Sequence, residues 1–129
     1  MLCCIILDDR IEYKVSTGMI YLIQERGTKE QIEEMLEMLG SYIKLAVDIE
    51  RGFLAGGGEY HADCEAVLLE NGSNQVDIWG ADWYPLTQEV GYESLINIRP
   101  RQNNRSMEIQ DPVIRQRVAQ IVQQLLGEL

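Results

Sequence analysis

Histidine and cysteine are both scarce in this chain, and their scarcity excludes several kinds of site. The 129 residues include one histidine, His61, and three cysteines, of which Cys3 and Cys4 are adjacent and Cys64 stands alone. There is no C-x-x-C pair and no second histidine, so neither a zinc module nor a disulfide framework is indicated. We therefore expect free thiols and a cytoplasmic location.

The chain also has no long apolar run, and its basic residues are outnumbered by acidic ones, 11 to 21. No apolar stretch approaches the ~20 residues that a bilayer span needs, and MLCCIIL is a poor secretory signal, so we expect no membrane partner. The formal net charge is −10; the 18 acidic and 6 basic residues of 1–98 give −12, and the 3 and 5 of 99–129 give +2. Such an acidic body repels phosphate backbones, which argues against a nucleic-acid partner.

Residues 1–18 precede an internal methionine, Met19, after which the sequence pattern becomes regular. Two interpretations are open. In one, CCIIL or IEYKV forms an extra edge strand. In the other, which we favour, the native protein begins at Met19 and residues 1–18 are a misassigned start; mass spectrometry of the native N-terminus would decide. Residues 19–129 are expected to form a single domain.

Two amphipathic helices are predicted, one on each side of the central region. Thr28 and Gln31 have the spacing of a capping box, apolar residues then recur at helical spacing, and Gly40 ends the helix. Asp111-Pro112 is typical of a second helix start, and an apolar stripe continues from there to the C-terminus.

Between these helices the hydrophobic period changes to two, which indicates strands. Residues 42–50 alternate, Arg51-Gly52 is a plausible tight turn, and Asn71-Gly72 is a strong hairpin signal. Pairing residues around both turns predicts an apolar face, covered by helices, and an open polar face. The apolar face would hold Ile43, Leu45, Val47, Ile49, Leu54, Tyr60, Ala62, Cys64, Leu68, Trp79 and Trp83. The polar face would hold Lys44, Asp48, Glu50, Glu59, His61, Asp63, Glu65 and Asp82.

This register requires residues 53–69 to remain one strand. Gly56-Gly57-Gly58 is typical of a bulge, or of close approach by a helix or ligand, and ADCEAVLLE is an alternative short helix. A last strand is predicted from Ser94 to Arg99. The chain as a whole predicts an α+β fold: an antiparallel sheet of four to five strands with two helices packed on one face, a two-layer sandwich.

The acidic residues around His61 form the first candidate site. His61, Asp63 and Glu65, with Asp48 or Asp82, offer ligand types that suit manganese, magnesium or calcium, as in a metal-dependent hydrolase. Simpler alternatives are a histidine held by one carboxylate on a solvated face, or general acid–base chemistry. Cys64 is expected to be a small buried hydrophobe.

The basic segment after residue 98 is the second candidate site. Arg99, Arg101, Asn104, Arg105 and Ser106 present donors for a carboxylate or phosphate, which arginine can bind in bidentate fashion. The alternative is that the arginines offset the acidic body or interact with a helix C-terminus.

Four stretches of the sequence, GGGEYHADCE, LLENGS, DIWGADWYP and SLINIRPRQNNRS, together resemble a family of small prokaryotic proteins described as a domain of unknown function. The resemblance covers residues 19–129. Members usually begin near the position of Met19, and often carry leucine in place of Tyr60 and Gly-Asn in place of Asn103-Asn104. The resemblance implies no activity or cofactor. It directs attention to Glu59, His61, Asp63, Asn97, Arg99, Asn104, Arg105 and Ser106.

Three functions are therefore expected as alternatives. The first is a binding or regulatory module for a polar or anionic small ligand, the second a metal-dependent hydrolase, and the third a homodimeric interaction subunit without catalysis. The candidate ligand-binding residues are Glu59, His61, Asp63, Glu65, Asp82, Asn97, Arg99, Asn104, Arg105 and Ser106. The candidate metal ligands are His61, Asp63 and Glu65.

Overall fold

The computed structural model describes residues 3–7, 10–15 and 18–128. Within these residues, seven strands form one antiparallel sheet, accompanied by three α-helices. The α+β class is thereby confirmed. The elements in chain order are β1 Cys3–Leu7, β2 Arg10–Val15, β3 Gly18–Ile23, α1 Lys29–Leu36, β4 Ile43–Asp48, β5 Phe53–Gly57, α2 His61–Glu70, β6 Ile78–Tyr84, β7 Glu89–Gly91 and α3 Pro112–Leu126. The strands lie in the sheet in the order β1-β2-β3-β5-β4-β6-β7.

Strands β3 to β6 lie where the sequence predicted strands, whereas β7 was not predicted. The β1–β2 hairpin extends the sheet beyond β3. Both N-terminal segments named as extra edge strands therefore form strands in this structure. The native start site and the single domain at 19–129 remain predictions.

The central strands are covered on both faces. Leu45, Ala46 and Val47 are consecutive in β4 and fully buried, although alternate residues of a strand point to opposite faces. A Cβ atom added to Gly56 would lie 3.1 Å from Met35 Sδ, which places α1 on the Leu45 face. The prediction of an open polar face is therefore wrong, and packing of the helices on one face is not confirmed.

Helix α2 replaces the second half of the long strand predicted from residue 53. Strand β5 ends at the glycine triplet, where Gly57 and Gly58 have φ angles of +115° and +70°. A Cβ atom on Gly57 would lie 2.2 Å from the Met19 carbonyl oxygen, so only glycine fits at this point. Because these backbone angles turn the chain out of the sheet, His61 begins a helix instead of continuing a strand.

The Asn71-Gly72 pair ends α2 instead of forming the predicted hairpin. Gly72 has a φ of +90°, and the Ser73 amide donates to the Leu68 carbonyl oxygen at 3.0 Å. Asn-Gly is favoured wherever the backbone needs positive φ, so it suits a helix C-terminus as well as a tight turn. The strand register that this hairpin would impose on residues 53–69 is therefore wrong. Tyr60, predicted to be in the core, is 54% exposed.

The segment predicted as a last strand at Ser94–Arg99 contains a 3-10 helix, Leu95–Asn97, and runs beside the outer edge of β6. Strand β7 pairs only with Asp82–Tyr84, so the preceding part of β6 has no strand on that side. A Cβ atom on Gly80 would lie 2.5 Å from Ser94 Cβ. The absence of that atom lets the segment approach the strand edge.

The starts of both predicted helices are confirmed, although α1 ends at Leu36 and not at Gly40. The Thr28 side chain and Gln31 form the capping box of α1, and Asp111 Oδ1 accepts from the Val113 amide at the start of α3. Six residues of the predicted apolar face are buried on one face of the sheet: Ile43, Leu45, Val47, Leu54, Trp79 and Trp83. Among the described residues, no helix has the length and apolarity that crossing a bilayer requires.

Candidate functional site

His61 is held in a fixed orientation at the first position of α2. Its Nε2 atom lies 2.9 Å from Asp82 Oδ1 and 3.0 Å from the Ala81 carbonyl oxygen. Both partners are acceptors, so Nε2 carries the proton and Nδ1 is the nitrogen left without a hydrogen-bond partner among the described residues. The predicted proximity of His61 and Asp82 is thus present, although a helix and not an opposing strand produces it.

This pair forms one side of a cleft with a volume of about 410 Å³. The cleft lies over β4 and β6, between the start of α2 and the segment 93–97. Its volume falls within the range of about 300–1,000 Å³ that is typical of small-molecule sites.

Lys44 lines the cleft directly across from Asp82 in the β4–β6 pairing. Residues opposed in this way share a face and interact, but the Asp82 carboxylate is engaged by His61. The Lys44 ammonium makes no hydrogen bond or ion pair with a described residue. The cleft therefore contains a partly buried cation that has no partner among the described residues.

Tyrosines and apolar side chains form the walls and rim of the cleft. The Tyr42 and Tyr84 rings stack with centroids 5.3 Å apart and planes inclined by 16°. Tyr60 lines the same cleft, as do Leu95, which is 71% exposed, and Met107. Burial, and to a lesser degree the Asp82 charge, raises the pKa of Tyr84, which keeps its phenol a hydrogen-bond donor.

The start of α2 adds backbone donors to the cleft. Tyr60 is the N-cap residue and no side chain accepts from the first turn. Helix N-termini with unsatisfied amides favour anions. The Lys44 ammonium and these amides are the donors that the cleft offers to an anionic group.

Arg99 was a candidate anion ligand, but its guanidinium donates hydrogen bonds to backbone carbonyl oxygens within the protein. Its Nε donates to the Ile96 carbonyl oxygen at 2.9 Å, Nη1 to the Gln75 carbonyl oxygen at 2.9 Å, and Nη2 to the Ile78 carbonyl oxygen. The guanidinium carbon also lies 4.6 Å from the centre of the Trp79 ring.

Glu65 lies beside this guanidinium, one helical turn along α2 from His61. Its Oε2 atom is 3.7 Å from Arg99 Nη2. Burial raises the pKa of Glu65, against the opposing effect of the Arg99 charge. The pair lines a second, more open groove of about 620 Å³.

Asn97 and Asn104 are buried and hold loop backbone in place. Asn97 Oδ1 accepts from the Gly80 amide at 2.8 Å, and Nδ2 donates to the Gly80, Tyr92 and Met107 carbonyl oxygens. Asn104 donates to three carbonyl oxygens and accepts from the Gln110 amide. The Asn97 side-chain amide thus makes the hydrogen bonds to Gly80 that a neighbouring strand would otherwise make. Ser106 lies in the same loop, and its hydroxyl oxygen accepts a hydrogen bond from the Glu108 amide.

The other predicted residues are more dispersed. Glu59 and Arg105 are exposed, and Asp63 lies partly buried on α2. Asp48 is fully buried and accepts from the Glu50 and Arg51 amides in the β4–β5 turn. No group of three His, Cys, Asp or Glu side chains among the described residues is arranged to hold a metal ion. His61 and Glu65 share one face of α2, and Asp63, two residues from each, points away from that face.

Cys64 is fully buried in α2, as predicted for a small hydrophobe. Its Sγ atom lies 3.3 Å from the Gly57 carbonyl oxygen and 3.5 Å from that of Lys44. Burial raises the pKa of the thiol, so it stays protonated and is a poor nucleophile.

The cleft also contains residues that sequence reasoning missed. Lys44 belongs to the predicted polar face but not to the predicted ligand-binding residues, and Tyr42, Tyr84 and Glu93 belong to neither group. A usable signal was present for Lys44, because it is the single basic residue within an otherwise apolar and acidic strand.

Comparison with known proteins identifies the family. Residues 21–125 match the family described as Protein of unknown function (DUF5674), which covers β3 to α3 and both candidate sites. The chain belongs to the DUF5674 family. The resemblance seen in the sequence is thereby confirmed. No curated protein and no solved structure matches this DUF5674 chain.

Proposed function

We propose that this DUF5674 protein is a binding module for a small polar ligand with an anionic group, and that the ligand occupies the cleft at His61. The observation that carries the proposal is the unpaired Lys44 ammonium on the cleft floor. Lys44 is partly buried, and a charge that loses contact with water without gaining a partner is destabilised. A bound anion would supply that partner.

Two further features support an anionic ligand. The first amides of α2 have no side-chain cap, and they lie at the same end of the cleft as His61. His61 Nδ1 adds a hydrogen-bond acceptor when neutral and a donor when protonated, while Asp82 and Ala81 keep the ring in place.

The arginine loop does not contribute to this proposal. Arg99, Asn97 and Asn104 direct their polar atoms to backbone partners. The residues proposed to bind the ligand are therefore those of the cleft alone: Lys44, His61, Asp82 and the tyrosines Tyr42, Tyr60 and Tyr84.

The proposal is tested by thermal unfolding with a panel of small carboxylates, phosphates and amino acids. We expect at least one member to raise the Tm of the wild-type protein; at a hundredfold excess over its Kd a ligand adds about 2.7 kcal/mol of stability. Lys44→Gln should abolish the response.

Lys29→Gln is the matched control. It removes the same charge from an exposed side chain whose nearest acidic partner is 4.0 Å away, and it should leave the response intact. Absence of any response in the wild-type protein, or an equal response in Lys44→Gln, overturns the proposal.

A further inference from the structure

The charges and rings of the cleft specify the ligand more narrowly than an anion. We infer that the His61 cleft binds a small aromatic zwitterion, a molecule in which one aromatic ring is joined to both a carboxylate and an ammonium group. This inference rests on the function proposed above and adds the ammonium and the ring to it.

The case for the ammonium comes from the acidic groups that share the cleft with Lys44. Asp82 and Glu93 both line it. With one ammonium and two carboxylates, the lining is negative when His61 is neutral. A simple anion would meet Lys44 but be repelled by Glu93, and a simple cation would meet Glu93 but be repelled by Lys44. A zwitterion matches both signs of charge.

Glu93 is placed for this role. It is exposed, and its backbone forms an isolated bridge with Glu108 that anchors it at the cleft rim. It makes no hydrogen bond or ion pair through its side chain with a described residue. Lys44 on the floor and Glu93 on the rim are thus two charges of opposite sign in one cleft, and neither has a partner in the part of the chain that the structure describes.

The case for the ring comes from the tyrosines. The stacked Tyr42–Tyr84 pair presents a flat wall, and Tyr84 is 37% exposed. Tyr60 is 54% exposed and has no aromatic partner among the described residues. Aromatic rings favour offset-stacked or edge-to-face contacts with other rings. Leu95, 71% exposed at the rim, would cover apolar ligand atoms.

A matched ligand series separates these contributions. Isothermal titration calorimetry at neutral pH would compare L-phenylalanine with three analogues that each lack one group: 3-phenylpropionate lacks the ammonium, 2-phenylethylamine the carboxylate and L-alanine the ring. We expect L-phenylalanine to bind at least tenfold more tightly than each analogue.

Two variants assign the preferences to residues. Glu93→Gln should reduce the preference for L-phenylalanine over 3-phenylpropionate to less than threefold, without weakening 3-phenylpropionate. Tyr60→Ala should reduce the preference for L-phenylalanine over L-alanine. Both positions are exposed, and ligand-free unfolding curves that match the wild type show that the fold is retained.

The outcomes distinguish this inference from the function on which it rests. If 3-phenylpropionate binds as tightly as L-phenylalanine and its binding depends on Lys44, the inference of a zwitterionic ligand is wrong, and the proposal of an anion-binding cleft is retained. Equal affinities for L-alanine and L-phenylalanine would contradict the inference that the ligand has an aromatic ring. Tightest binding of 2-phenylethylamine, or binding of no compound in either panel, would overturn both proposals.

Discussion

The loop at residues 94–104 and the His61 cleft both flank β6, but they use their polar side chains in opposite ways. In the loop, Asn97 and Asn104 each make four hydrogen bonds to backbone groups. In the cleft, the Lys44 ammonium and His61 Nδ1 have no partner among the described residues. Both regions resemble binding sites in the sequence. The difference teaches how to separate the two kinds of polar residue. Side chains whose hydrogen bonds are made within the protein stabilise the structure, and side chains without such partners are available to a ligand.

The largest effect is expected at Asn97. Asn97→Ala would leave the buried Gly80 amide without its acceptor and remove a donor shared by three carbonyl oxygens. Each unsatisfied buried group costs about 1–3 kcal/mol, so we expect a loss of about 3–5 kcal/mol in the free energy of unfolding, measured with urea.

Asn74→Ala is the control for this substitution, because Asn74 is exposed and makes no side-chain cap. It should change stability by less than about 0.5 kcal/mol. A similar effect of the two substitutions would show that the loop is not held by Asn97.

Arg99 should give the next largest effect. Lysine at position 99 keeps the charge near Glu65 but cannot donate in a fork to the Ile96, Gln75 and Ile78 carbonyl oxygens. We expect Arg99→Lys to cost about 2–3 kcal/mol in urea unfolding, since several donors and the contact with Trp79 are lost. Arg101→Lys, at an exposed position, should be close to neutral. If Arg99→Lys left the free energy of unfolding unchanged, the fold would not need the guanidinium, and Arg99 would again be a candidate ligand contact.

Glu65 provides a smaller, pH-dependent effect. Burial raises its pKa from the ordinary value of 4.5, so the folded protein binds the proton more tightly than the unfolded chain does. The stability from this group is therefore present below the unfolded pKa and is lost as the pH rises through the folded pKa. Glu65→Gln should be more stable than the wild type at pH 7, by less than about 1 kcal/mol, and the difference should vanish near pH 4. Chemical unfolding at both pH values measures this. A variant less stable than the wild type at pH 7 would show that the Arg99 ion pair outweighs burial.

Much of the fold followed from local sequence signals. The capping box at Thr28 and Gln31, the Asp111-Pro112 start and the alternation through β4 all predicted elements that the structure contains. The errors arose where tertiary context overrides a local pattern. Ser94–Arg99 alternates like a strand, yet the side chains of Asn97 and Arg99, and not the segment's backbone, satisfy the edge of β6.

The candidate site was predictable only in part. The proximity of His61 and Asp82 followed from counting residues, although the intervening strand is a helix. The sequence singles out Lys44 as a lone basic residue, but the roles proposed for Lys44 and Tyr60 depend on which partner each side chain lacks, and the sequence does not show this. Asp82 has two neighbours that could pair with it, and only the three-dimensional arrangement shows that it contacts His61 and leaves Lys44 unpaired.

The most direct test of this contrast is the stability of Lys44→Met, measured by urea unfolding with and without a ligand from the panel. Methionine keeps the apolar stem and removes the unpaired charge. We predict a ligand-free stability within about 0.5 kcal/mol of the wild type, or higher, together with loss of ligand stabilisation. A ligand-free loss of more than about 1 kcal/mol, with the ligand response retained, would mean that Lys44 supports the fold and does not bind a ligand.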